Sequence, residues 1–126
     1  MSYILDSSAL LANIWGEPGA AIVADHLQGA QMSAVNFAEV ASKLAERGIE
    51  KEKWKSLIIG FGIKIIDFDQ PQAIGVGLLR ASTKTAGLSL GDRACLTLAQ
   101  AKKLPVLTAD KIWAELGLGL EIKLVR

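Results

Sequence analysis

The sequence contains one cysteine, Cys95, and one histidine, His26. An intrachain disulfide and every cysteine-based zinc pattern are thereby excluded, and no histidine pair exists to bind zinc. A glycine-rich phosphate loop is missing too: Gly75 and Gly77 lie in a segment of helical period with no lysine in the P-loop position. Long apolar runs are absent. No stretch approaches the roughly 18 apolar residues of a membrane span, and Asp6 interrupts the N-terminus before a signal-peptide core could form. The expectation is a cytoplasmic protein with no membrane contact. Nor is one sign of charge in excess: Lys and Arg number 14 against 13 Asp and Glu, a net of +1, so the overall field neither advertises nor forbids nucleic acid.

What is present is a core. Of 126 residues, 51% are hydrophobic and 21% charged, which excludes disorder and fits one compact domain over residues 1–126. A mean hydropathy of +0.33 with few long apolar runs leaves more apolar surface than a small monomer hides, and so predicts a homodimer or an obligate partner, using helices near Trp54. Cys95 is expected to pack in the core beside Ala94, Leu98 and Ala99. Trp15, Trp54 and Trp113 are read as core or dimer packing.

Short apolar runs alternate with helical segments, each bounded by a cap or breaker. Strands are predicted at Tyr3–Leu5, Gln31–Ser33, Lys64–Ile66, Val106–Thr108 and Glu121–Val125. Helices are predicted after Asp6-Ser7-Ser8, from Pro18 to Leu27, Ala34 to Arg47, Lys51 to Phe61, Pro71 to about Lys84, Ser89 to Lys102 and Asp110 to Glu115. Five strands separated by helices imply an α/β fold: a three-layer α/β/α sandwich on a mainly parallel sheet, because parallel neighbours need crossovers of helix length.

Ligands of such sheets gather beyond the carboxyl ends of the strands. Asp6 ends the first strand, Asp110 follows the fourth, Asp92 opens the helix after Ser89, and Glu39 lies in the helix after the second strand. At an effective dielectric near 20, two like charges about 5 Å apart repel by about 3 kcal/mol, so clustered acids need a cation or shared protons. Oxygen-only ligation points to Mg2+ or Mn2+, and a metal that lowers the pKa of bound water suits phosphodiester hydrolysis. Each acid has a plainer reading. Asp6 and Asp110 fit as helix caps, and Ser89-Leu90-Gly91-Asp92 fits a capping box. Glu39 falls on the polar side of its helix, away from Phe37, Val40 and Leu44, which suits solvent as well as a pocket. Arg93 suits a substrate phosphate or a neighbouring acid, and Ser7, Ser8 and Thr108 suit either capping or hydrogen bonds to a ligand carboxylate. The mixed charges of Lys43 to Lys55 read as a solvated surface.

The ordered series Asp6-Ser7-Ser8-Ala9, Asn36-Phe37-Ala38-Glu39-Val40, Leu90-Gly91-Asp92-Arg93-Ala94 and Thr108-Ala109-Asp110 resembles the PIN-domain nucleases, and within them the VapC-type toxins of toxin-antitoxin pairs. The resemblance spans essentially the whole chain. It implies that Asp6, Glu39, Asp92 and Asp110 form the catalytic quartet, with Asp6, Asp92 and Asp110 on the metal and Ser7 and Thr108 in support. It also implies RNA cleavage with Mg2+ or Mn2+, a homodimer and a small antitoxin partner. Two rivals stand beside it. A noncatalytic PIN-like interaction module is one. The other is a receiver-like signalling module, which matches Asp67 and Asp69 after the third strand but not in the arrangement of its lysine near the fifth.

Overall fold

The computed structural model describes residues 2–126 and forms one five-stranded sheet in the order β3-β2-β1-β4-β5, every pairing parallel. The strands are short: β1 Ile4–Leu5, β2 Gln31–Ser33, β3 Lys64–Ile66, β4 Val106–Thr108 and β5 Ile122–Leu124. Period-two alternation divides their side chains between two cores. Leu5, Met32 and Leu107 face one, with Leu10, Val23, Val40 and Leu44; Ile4 and Val106 face the other, with Leu79, Leu96, Leu98 and Trp113. Helices α1 (Ser7–Trp15), α2 (Ala20–Ala24), α3 (Ala34–Glu46) and α4 (Lys51–Phe61) serve the first core. Helices α5 (Gln70–Ser82) and α6 (Leu90–Lys102) serve the second. The three-layer sandwich is as expected.

Differences from the expected elements have local causes. The helix predicted from Pro18 to Leu27 is only Ala20–Ala24. Gly19, at φ 96°, turns the chain immediately before it against the Val125 carbonyl, leaving no room for a side chain. The helix expected to reach Lys84 stops at Ser82, where the Thr83 hydroxyl donates to the Leu79 carbonyl at 2.6 Å, and a 3-10 turn covers Lys84–Ala86. Residues 111–115 form a 3-10 turn rather than an α-helix, with Asp110 as its cap. Trp113 is buried; Trp15 lies under the Arg47 guanidinium at 4.2 Å, and Trp54 donates to the Ile49 carbonyl. Cys95 is buried in the second core as expected. Among the described residues no helix is long and apolar enough to cross a membrane.

A carboxylate edge at the ends of the strands

Parallel strands deliver their carboxyl ends to one edge, and a helix returning between two of them begins at that edge. β1 therefore presents Asp6 there, β4 presents Thr108 and Asp110, and α3 and α6 begin there with Glu39 in the second turn of one and Asp92 in the first turn of the other. Ser33 holds the start of α3 by accepting from the Val35 amide at 3.2 Å.

Asp6 occupies the cap position of α1, yet its side chain makes no cap bond. Its carboxylate is buried, and Oδ2 accepts from the Ser8 hydroxyl at 2.6 Å and the Thr108 hydroxyl at 2.9 Å. The simple cap reading fails for Asp6. Ser8 is itself held by the Ala109 amide at 3.0 Å, so a strand end 100 residues away fixes the hydroxyl that fixes the acid. Burial pushes the Asp6 carboxyl up to about 6 from 3.8; the two hydroxyls oppose that, and the charges of Asp92 and Glu39 add to it. Those three acids thus share one electrostatic neighbourhood.

Glu39 turns inward to the start of α6. Its Oε1 accepts from the Ser7 hydroxyl and from the Asn36 amide, each at 3.0 Å. Asp92 does form the capping box with Ser89, accepting at Oδ2 from the Ser89 amide at 3.0 Å. Asp110 also caps, accepting at Oδ1 from the Ile112 amide at 3.1 Å, and its own amide donates to Thr108 Oγ1 at 3.1 Å. Capping is therefore real for Asp92 and Asp110, but it uses one oxygen of each. Among the described residues all four acids follow one pattern, with one oxygen held by the protein and the other without a protein partner. Neither ion pair found among those residues involves them.

This donor set fits a hard divalent cation: oxygen only, negative and uncompensated by lysine or arginine. The side chains as they stand do not form a finished cage, since among the described residues no three acidic, histidine or cysteine groups converge closely enough to hold an ion. Arg93 donates through Nη1 to the Val76 carbonyl at 3.0 Å and ties α6 to α5. Ser7 and Thr108 stand beside Glu39 and Asp6 respectively. Sequence reasoning gave Asn36 no role, although its spacing of three from Glu39 puts both on one helix face. Two clefts of about 590 and 560 Å³, one lined by Lys64, Asp67, Gln72 and Thr97 and the other by Ile49, Leu57 and Phe61, include none of the four acids.

Fold and edge together define a parallel α/β/α protein with an uncompensated carboxylate site at its strand ends. The PIN domain family model matches residues 3–118, and the chain belongs to the PIN domain family. No curated protein matches it by sequence. Among solved structures it is similar to a chain of a toxin-antitoxin complex from Klebsiella pneumoniae, with TM-score 0.79, 21% identity and 98% of each chain covered. It is also similar to a chain of FitAcB from Neisseria gonorrhoeae, with TM-score 0.72, 22% identity, and 99% of this chain and 98% of that one covered. A chain of DNA-bound VapBC from Salmonella typhimurium gives TM-score 0.72 at 18% identity, covering 100% of this chain and 99% of that one. At these identities the likeness establishes the fold.

Proposed function

We propose that the chain is a cytoplasmic Mg2+- or Mn2+-dependent endoribonuclease acting as the toxin of a toxin-antitoxin pair. One observation carries the chemistry: in a PIN-family fold, Asp6, Glu39, Asp92 and Asp110 each keep an oxygen free at one sheet edge, and among the described residues none of them is in an ion pair. Asp6, Asp92 and Asp110 would hold the ion, and the Glu39 charge, which already acts on Asp6, would strengthen its binding. When bound, a divalent cation supplies water activation and charge compensation at the phosphate. The chain's own groups do the rest. Ser8 and Thr108 orient Asp6, the Ser89 amide orients Asp92, and Ser7 and Asn36 orient Glu39. In hydrolysis a water oxygen bonds to phosphorus as a P–O ester bond breaks; Glu39 Oε2, free of protein partners, is available for the proton that the water releases, and the departing ester oxygen takes a proton from solvent.

A small antitoxin and a second copy of the chain are the partners this reading assigns. The likeness to a chain of a toxin-antitoxin complex supports the first. Exposed Ile59, Ile74 and Leu78 support burial against a protein surface. The noncatalytic reading draws on one observation, the capping bonds of Asp92 and Asp110. Calorimetric titration with Mn2+ separates the two: the nuclease binds the ion and loses it on Asp6→Asn or Asp92→Asn, whereas an interaction module shows no saturable heat. Light scattering of the purified chain at micromolar concentration tests the dimer, and a monomer would contradict it.

A further inference from the structure

We infer that Asn36 is a positioning residue: its side-chain amide sets the Glu39 carboxylate against the start of α6, in a gap that exists because residue 91 is glycine. The inference rests on the nuclease reading of Glu39 and deepens it.

Asn36 is fully buried, where an amide needs partners for its polar atoms. Its Nδ2 makes two bonds to two different elements: Glu39 Oε1 on its own helix at 3.0 Å and the Gly91 carbonyl on α6 at 2.9 Å. One nitrogen thereby references the acid to the helix that carries Asp92. Its Oδ1 is sealed from solvent and has no partner. An apolar side chain of similar volume would leave no such orphan, so packing does not account for asparagine here. What asparagine adds is the pair of donors.

Gly91 supplies the other half. A Cβ there would meet the Glu39 carboxylate, to which all three of its nearest atoms belong. Its φ is not positive and it lies inside α6, where alanine is the better helix former. The obstacle to a side chain is thus the free end of Glu39, which a methyl group would push aside without disturbing the backbone. The bonds that Ser7 and Asn36 make to Glu39 Oε1 would both have to shift with it.

The test is a cycle of Asn36→Leu, Glu39→Gln and the double variant, with Gly91→Ala made in both the wild-type and the Glu39→Gln protein. Mn2+ affinity is read by calorimetry, turnover on single-stranded RNA separately, and folding by thermal melting in chelator. Gly91→Ala is expected to melt no lower than wild type and Asn36→Leu to melt lower for the loss of its two hydrogen bonds while still folding, yet each is expected to lose about tenfold to a hundredfold in Mn2+ affinity and kcat with KM unchanged. In the Glu39→Gln background neither should alter Mn2+ affinity further, since the carboxylate they position is gone. Equal losses in both backgrounds, or wild-type affinity and turnover in both variants, would overturn the positioning role while leaving the nuclease reading intact. A Glu39→Gln protein as metal-avid and active as wild type would overturn both. Where Asn36→Leu does not fold, Gly91→Ala decides alone, because it adds a methyl group to a helix that favours one.

Discussion

Replacing Asp6 by asparagine should stabilise the metal-free protein at neutral pH, and the gain should fade in acid. The Asp6 carboxyl titrates near 6 in the folded chain against 3.8 for an unburied aspartate. Between those values the folded state binds the proton and the unfolded state releases it, so raising the pH favours unfolding. The cost grows as pH rises from about 4 and levels off above 6, reaching about 3 kcal/mol. At pH 4.5 it is about 1 kcal/mol. Asparagine keeps one acceptor oxygen for the Ser8 and Thr108 hydroxyls and carries no charge to desolvate or to face Asp92 and Glu39. Imperfect rebonding will use part of the gain, leaving an increase of about 4 to 10 °C in melting temperature at pH 7.5 in chelator. Scanning calorimetry of both proteins in EDTA at pH 7.5 and 4.5 measures it, because every other titrating group is common to the pair. Saturating Mn2+ should reverse the order by stabilising wild type through mass action. An asparagine variant that melts below wild type at pH 7.5 in chelator, or a gap that does not change with pH, would refute the reasoning.

Thr108→Val removes a donor to Asp6 and the acceptor of the Asp110 amide, so it should cost about 2 kcal/mol at pH 7.5 in chelator and less at pH 4.5, by urea denaturation. Cys95 is buried and its thiol is pushed up by burial and by the charges of Asp6, Asp92 and Glu39; a thiol reagent at pH 8 should label it only after denaturation, and rapid native labelling would show the core to be open. Gly19→Ala should destabilise by about 2 to 4 kcal/mol, since it strains a positive φ and drives a methyl group into the Val125 carbonyl; an unchanged urea midpoint would mean that the turn relaxes freely.

The strands and most helix ends were legible because their signals are local. Ser33 and Ser89 cap where serine precedes an apolar-periodic run, and the helix read as ending at Phe61 does so, with Gly62 in left-handed backbone after it. The short α2 was not, because its limit is set by Gly19 meeting Val125, a contact across the whole chain. Asp6 illustrates the same divide. Its position before a helix suggests a cap; only the fold brings Thr108 to it and turns the carboxylate away from the helix amides. Glu39 does lie off the apolar face of α3, but that side meets the start of α6 at Gly91 rather than open solvent. A helical wheel has no second helix on it, so neither the inward turn of Glu39 nor the bridging amide of Asn36 could be read from periodicity.

The central claim is that the carboxylate edge cuts RNA with a divalent cation, and the most direct measurement is cleavage of end-labelled single-stranded RNA by the purified chain. Cleavage is expected with Mn2+ or Mg2+, none in excess EDTA, and none with Asp6→Asn at any metal concentration although that protein folds. Cleavage that persists in EDTA, or an Asp6→Asn protein that cuts at the wild-type rate, would contradict it.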